Sequence, residues 1–387
     1  MPNFGQDDSI SHGQPGAAHD VGRRDLLAGL IAAGAAALTA SSATAQQTAA
    51  QSPPRKLGPA IVGPPVPIEV MARQITGFGK ANGVGSSGGR LEFAGGLVLS
   101  AAVKEFGGWS GAVTSEDGRR LLTISDRGCW MTAEIVHEGG RPKGLAQAML
   151  GDIAGLGGQV LRGRDKDAES VTLLEGTLSR GTVLIAFERN HRIGRFPISD
   201  RGLGPPLGYL KLPSDARRMS FNKGLEAVAV LRGGPLRGAI VAFAEEMHDA
   251  ARNHTGWIWP GGIGGDPQRL GMVNIADYAI TDAASLPDGS LLVLERKFRW
   301  LEGVKCRIRH VRAADIRPGA LLDGDVILDA DMTAEIDNME ALSLSRNARG
   351  QTVLTLMSDD NFNAFLQRSL LLQFVLTDIT GRGVARP

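Results

Sequence analysis

The sequence predicts an all-β fold, a single-domain β-propeller of five or six four-stranded antiparallel blades, and three observations carry that prediction. A glycine-bearing turn between two alternating apolar runs recurs five times, and the second run of each pair ends in a cluster of charged residues. Further short alternating segments fill the interval before the next pair, which brings each unit to about four strands. The turns are Asp117-Gly118, Arg180-Gly181, Arg237-Gly238, Asp288-Gly289 and Arg349-Gly350, with successive glycines 63, 57, 51 and 61 residues apart.

Taken in order, the paired runs are 111–115 with 120–125, 170–174 with 182–187, 227–231 with 239–244, 278–286 with 290–294, and 341–345 with 352–357. Each reads as an antiparallel hairpin with one face toward a core. The additional segments are 192–198, 207–212, 305–311, 325–328 and 369–376. Glycine, at 52 of 387 residues, is roughly twice its usual ~7% share and marks many turns. The one helix-like patch is 144–153, which reads as a short insertion. Residues 66–94 supply either part of a sixth blade or a strand that closes the ring, so that no sheet edge is left open.

A net charge of +1 without a basic stripe gives no electrostatic footprint for nucleic acid, and none is expected as a partner. The N-terminus stands apart. Arg23-Arg24 precedes a soft apolar run over 28–40 and then Ala43-Thr44-Ala45, the pattern of a twin-arginine signal peptide spanning 1–45. It predicts handling by the twin-arginine export machinery and a periplasmic or secreted mature chain. A Pro-rich flexible segment over 46–67 follows, and then the propeller domain, 68–380. After cleavage no remaining segment is long and apolar enough to span a membrane, so no membrane partner is expected, and the mature chain should be a monomer. Cys129 and Cys306 fall in the first and fourth units and should be two free, buried thiols.

Because the turn glycines mark one end of every hairpin, the charged clusters gather at the other. Strand entries contribute Trp109-Ser110, Asp167, Glu169, Asn222-Lys223, Glu226, Asp277, Asn338 and Glu340; strand exits contribute Asp126-Arg127, Glu188-Arg189-His191, Glu245-Glu246, Glu295-Arg296-Lys297 and Asp359-Asp360-Asn361. Carboxylates with amides suit a hard cation such as Ca²⁺, and neighbouring guanidinium groups suit an anion bridged to it. The candidate metal ligands are Glu169, Glu226, Asn338, Glu340, Asp359 and Asp360. Arg127, Arg189 and Arg296 are candidates to stabilise charge developing on a phosphate, with Asp126 or Glu295 as general base. The ligand expected is a small anionic ester or phosphate-containing molecule, with no organic cofactor. The competing reading is that strand-end acid–Arg pairs are salt bridges between blades and that the propeller binds a ligand or protein without catalysis.

Other signals are weaker. Gly108-Trp109-Ser110-Gly111 resembles a nucleophile elbow but carries Ala112 at the fifth position and lacks a following helix. His248, Asp249 and His254 are metal-ligating types in what reads as a solvated loop, and Trp257 and Trp259 share one side of a strand and should pack.

Several stretches together resemble the phytase-like domain of proteins described by "esterase-like activity of phytase": Ile124-Ser125-Asp126-Arg127-Gly128, Leu291-Leu292-Val293-Leu294-Glu295-Arg296, Asn338-Met339-Glu340-Ala341, and Ser358-Asp359-Asp360-Asn361-Phe362. The resemblance covers roughly residues 95–376. The family's Gly-Leu-Ser-Gly entry appears as Gly108-Trp109-Ser110-Gly111, and its Glu-Gly pieces as Glu226-Ala227 and Glu340-Ala341. The resemblance implies an exported propeller with phosphoester or carboxylester hydrolysis and a kinship with Ca²⁺-dependent propeller phytases. It implies no particular catalytic residue. A lactonase-like hydrolase that activates water in the same manner is a third expectation.

Overall fold

The computed structural model describes residues 60–82, 84, 89–363 and 365–377. The expected signal peptide lies outside the described residues. The chain opens with β1 (Val66–Pro67), β2 (Met71–Ile75), β3 (Gly79–Asn82) and the longer β4 (Leu91–Ser100). Blade 1 is built on β5 (Trp109–Thr114), β6 (Arg120–Ser125), β7 (Cys129–Glu138) and β8 (Arg141–Asp152). Blade 2 holds β9 (Ala168–Thr177), β10 (Arg180–Phe187) and β11 (Arg192–Ser199), with the short β12 (Gly202–Leu203) and β13 (Gly208–Tyr209) along its edge. Blade 3 holds β14 (Leu225–Val230), β15 (Ile240–His248), β16 (His254–Trp259) and β17 (Gln268–Met272). Blade 4 follows with β18 (Ala279–Ser285), β19 (Leu291–Arg299), β20 (Gly303–Val311), then β21 (Leu321–Leu322), which pairs in parallel with β17, and β22 (Asp325–Ala334). Blade 5 ends the chain with β23 (Met339–Arg346), β24 (Thr352–Ser358) and β25 (Ser369–Leu376).

These are five sheets, so the propeller has five blades. The N-terminal strands do not make a sixth. β4 pairs with β25 from Leu99 opposite Ser369 to Leu91 opposite Leu376, β2 extends that sheet, and β3 caps the outer edge of blade 4 on β22. The ring therefore closes with strands from both ends of the chain in one blade, which removes the open edge. β1 pairs with the outer strand of blade 1, Val66 opposite Leu150.

One core cluster lies between each pair of neighbouring blades. Trp257 and Trp259 of blade 3 pack on Leu184 and Ala186 of blade 2, while Leu292 and Leu294 of blade 4 pack on Leu354 and Leu356 of blade 5. Burying each such side chain is worth about 1.5–3 kcal/mol, so the interfaces hold the ring together. Both cysteines are free and buried, as expected, and burial pushes each thiol up to about 12.

Two local readings are corrected. Residues 144–153 are not helical: all but Ile153 belong to β8, and no α-helix occurs among the described residues. Leu145, Ala146, Ala148 and Met149 are good helix formers, but pairing against β7 overrides that preference, with Gln147 at φ 51 taking up the bulge between Ala146 and Met149. In blade 2 the turn falls at Leu178-Ser179, and Gly181 lies in β10 opposite Gly176. A Cβ on Gly181 would stand 2.5 Å from the Glu175 and Thr177 carbonyl oxygens, so close strand approach explains this glycine rather than a turn.

Candidate active site on the charged face

The innermost strand of every blade carries a β-bulge at the same place. The register against the second strand slips at Ser110 in β5, Glu169 in β9, Glu226 in β14, Thr281 in β18 and Glu340 in β23. A bulge re-aims the extra residue out of the regular alternation. Three of the five bulged residues are glutamates, and all five are buried.

A second set of equivalent positions lies just past the paired end of each second strand. The backbone N–H groups of Asp126, Glu188, Glu245 and Asp359 donate to the carbonyls of Gly108, Asp167, Gly224 and Asn338. Arg296, opposite Ala279, occupies this position in blade 4. The two sets thus place carboxylates from blades 1, 2, 3 and 5 around the end of the ring, with a guanidinium from blade 4.

On blade 2, Asp167, Glu169 and Glu188 are all buried, and each offers an oxygen within 4.8 Å of the others. Among the described residues this is the one such group of three. Arg189, held at φ 54, brings its Nε to 2.6 Å from Asp167 Oδ2. Three buried carboxylates gathered in this way are a set of hard oxygen donors, the ligand type that a divalent cation of the Ca²⁺ or Mg²⁺ kind takes. His191 sits beside this group: a Cβ on Gly224 would contact both the His191 ring and Glu188 Cγ. Burial lowers the His191 pKa, so its imidazole is neutral at neutral pH, with Nε2 against the Ser220 carbonyl at 3.1 Å.

Blades 3 to 5 meet around Arg296. Its Nη2 lies 3.6 Å from Glu245 Oε1 of blade 3 and 3.6 Å from Glu340 Oε1 of blade 5. Asn338 Nδ2 donates to the same Glu340 oxygen at 2.7 Å. Lys223 pairs with Glu246. Burial alone would lower the Lys223 pKa, but the Glu245 and Glu246 carboxylates outweigh it and raise the value. Glu226 lies at the bulge of the strand that follows Lys223.

Between blades 5 and 1 the acidic run divides its duties. Asp360 accepts the N–H groups of Gly108 and Phe362, both at 3.0 Å, and the Ser369 hydroxyl at 2.7 Å, which ties blade 5 to the entry of blade 1. Asp359 is fully buried and accepts the Asn361 N–H at 2.6 Å. Arg127 is exposed and stacks over the Phe362 ring at 3.2 Å, while Asp126 is half-buried with Ser125 Oγ 3.4 Å from its Oδ1.

Glu295 and Arg296 point apart, as successive strand residues do. Glu295 takes the register position held by Ser125, Phe187, Ala244 and Ser358 in the other blades, so it is turned into the blade. There it accepts Arg309 Nη1 at 2.9 Å and lies 3.8 Å from Arg307. Burial raises its pKa against the opposing pull of both arginines. Arg296 of the adjacent pair is the residue directed to the ring.

One residue below the bulges, Asp282 of blade 4 lies fully buried across the axis. Its Oδ1 accepts Ser170 Oγ of blade 2 at 2.9 Å and its Oδ2 accepts the Leu342 N–H of blade 5 at 2.7 Å. Ser170 Oγ in turn accepts the Val228 N–H of blade 3 at 3.0 Å. This chain closes the middle of the ring and gives the acidic face a floor. Desolvation raises the Asp282 pKa well above the usual carboxylate range despite the bonds donated to it by Ser170 Oγ, Leu342 N–H and Ala283 N–H.

Of the ten residues in the two ring sets, the sequence places nine on the charged face, all but Thr281. It placed Glu169, Glu226, Asn338, Glu340, Asp359 and Asp360 in one ligand set, whereas Glu169 gathers with Asp167 and Glu188, Asn338 and Glu340 gather with Arg296, and Asp360 links blades. Asp167 and Glu188 were recognised as members of the charged face but not as ligands. Their spacing to Glu169 becomes informative only once the bulge is known. Asp282 stands in the stretch Ile280-Thr281-Asp282, which also resembles the phytase-like family, but its place within an apolar run gives no sign of its role between blades.

Residues 104–362 match the family model for the Phytase-like domain, described by "Esterase-like activity of phytase". The chain belongs to this family. The matched span runs from before blade 1 into the acidic exit of blade 5, so it contains both residue sets of the charged face. No curated protein matches the chain in sequence.

Proposed function

We propose that this phytase-like chain is an exported hydrolase of small anionic esters, phosphoesters first, acting at the charged face of the propeller with a divalent cation such as Ca²⁺. The observation that carries the reading is the buried group of Asp167, Glu169 and Glu188 at the same end of the ring as Arg296. A cation held by those three residues would polarise the ester and its attacking water.

Arg296 is suited to bind and orient the anionic group, because its planar guanidinium stands at the ring end, 3.6 Å from the Glu245 and Glu340 carboxylates of the two flanking blades. Arg189, anchored by Asp167, stands beside the cation group as a second donor, and Arg127 offers a third from the rim. Asp126, half-buried at its ring position, is the carboxylate best placed to accept a proton, and neutral His191 offers another acceptor. The test is turnover of p-nitrophenyl phosphate, phytate and p-nitrophenyl acetate by the purified chain, with Ca²⁺ and with EGTA. Cation-dependent turnover that is lost in Glu169→Gln and Glu188→Gln supports the reading; no turnover of any of the three substrates overturns it.

A second reading, a non-catalytic binding propeller, is favoured by one observation: Arg296 joins Glu245 and Glu340 from two different blades, as a structural ion pair would. Cation binding without turnover would select it.

A further inference from the structure

The hairpin that joins β19 to β20 projects from the charged face of blade 4, and its tip is apolar. Trp300 is 81% and Leu301 94% exposed, and Met332 at the neighbouring end of β22 is exposed beside it, close enough that a Cβ on Gly303 would meet Met332 Cγ at 2.8 Å. Soluble surfaces shed such side chains singly, but these adjoin one another. The loop between β24 and β25 leaves blade 5 at the same end of the ring and carries Phe365, 93% exposed, with Leu366.

The stems of the tip are cationic. From Lys297 to Lys305 the hairpin holds Lys297, Arg299 and Lys305 against the single carboxylate of Glu302. Behind it opens a cavity of about 800 Å³ lined by Lys80, Lys297, Lys305 and Arg307, with Tyr278 below Arg307 at 3.9 Å. Asp329 and Asp331 at its wall leave the cations in excess. An aromatic and a leucine beyond a collar of long cationic side chains is the arrangement that sits at a lipid–water boundary: the tip enters the acyl layer while Lys and Arg reach the phosphates.

We propose that the β19–β20 hairpin docks the protein on a bilayer surface of anionic phospholipid, with Trp300 and Leu301 inserted and headgroup phosphates received by the cationic cavity behind them. The contact lies on the membrane and does not span it. Such a contact needs no long apolar segment, so the expectation of no membrane partner, which rests on segment length, does not bear on it. The proposal is independent of whether the ring is catalytic, since it is read as binding alone.

Flotation of the full chain with vesicles of phosphatidylglycerol and phosphatidylcholine, against phosphatidylcholine alone, tests it. The molecule supplies its own reporter, because Trp109, Trp130, Trp257 and Trp259 are buried and Trp300 is the exposed member of the five tryptophans. Binding to the anionic vesicles should move tryptophan emission to shorter wavelength and shield it from aqueous quenchers. Trp300→Ala and Leu301→Ala should each weaken partitioning roughly ten-fold. Lys297→Gln with Lys305→Gln should weaken it about five-fold per charge, and added salt should do the same. Trp300→Phe should keep most of the binding and lose the emission change, which separates insertion from misfolding. No association with anionic vesicles overturns the proposal, as does association that the tip variants leave unchanged. A response to glycerol phosphate without vesicle binding also overturns it, and assigns the cavity to a soluble anion.

Discussion

Ser170 Oγ donates a hydrogen bond of 2.9 Å to Asp282 Oδ1, joining blade 2 to blade 4 across the axis although blade 3 stands between them in the ring. A five-bladed ring is narrow enough for one side chain to cross it. The crossing group is a fully buried carboxyl whose charged form is disfavoured by desolvation.

That position makes stability depend on pH in a defined sense. A carboxyl with its folded pKa raised contributes stability fully below the unfolded value near 3.8 and loses it as pH rises toward the folded value. Asp282→Asn removes the titration but presents an N–H₂ where an oxygen accepted, so it should be less stable than the native chain at pH 4 by about 1–3 kcal/mol. The gap should narrow as pH rises to 8. Melting curves of both proteins across that range check this, and a constant gap would refute it.

His254 acts in the opposite direction. Burial, then the nearby His248 and Arg309 charges, lower its pKa from 6.5 to about 4. The folded state therefore binds its proton less tightly than the unfolded state, so the stability is present above pH 6.5 and is lost as pH falls through 6.5 toward 4. The loss should approach about 3 kcal/mol. Urea midpoints for the native chain and His254→Gln measure it: the native curve should drop more steeply over this window.

Glu295 and Arg296 are neighbours with separable consequences. Glu295→Ala removes one of the two carboxylates on the fully buried Arg309, which keeps Asp323 at 2.9 Å, and should cost about 1–3 kcal/mol of stability. Arg296→Lys keeps the charge but loses the planar fork, and should lower kcat on the phosphoester by roughly 10²-fold with little change in melting temperature. Equal effects of both changes on both measurements would remove the distinction.

Asp360 should behave as a latch between blades. Asp360→Ala leaves the Gly108 and Phe362 N–H groups and the Ser369 hydroxyl without their acceptor, at about 3 kcal/mol. Gly108→Ala attacks the same junction, since Gly108 has φ +65 and a Cβ there would meet the Phe362 ring and Asp126 Oδ1. Thermal unfolding should fall in both variants without change in the affinity of the blade 2 acids for Ca²⁺, measured by titration calorimetry.

The repeated turns made the blade hairpins and the acidic end legible, because period-two alternation and a glycine turn are local signals. The number of blades was not local: residues 66–94 have the pattern of strands, but only long-range pairing shows that β4 completes blade 5 and β3 caps blade 4. The grouping of site residues was hidden for a similar reason. A bulge adds one residue without leaving a mark in the alternation, so Glu169 and Glu340 could be placed at strand entries but not assigned neighbours. That Glu295 turns into the blade while Arg296 reaches the ring follows from register alone, and register is fixed by partners remote in sequence.

The shared sheet of β2, β4 and β25 has a consequence in time. Ser369 pairs with Leu99, so the final contacts of the ring must wait until β25 has been synthesised, while β4 is made far earlier and has no partner on its β25 side until then. Closure over so long a span is slow to form. Once formed, it can be undone only by withdrawing a whole eight-residue strand from between two neighbours. The finished protein should accordingly persist through a high barrier to opening, with its lifetime governed by the rate at which β25 escapes rather than by the balance of folded and unfolded states.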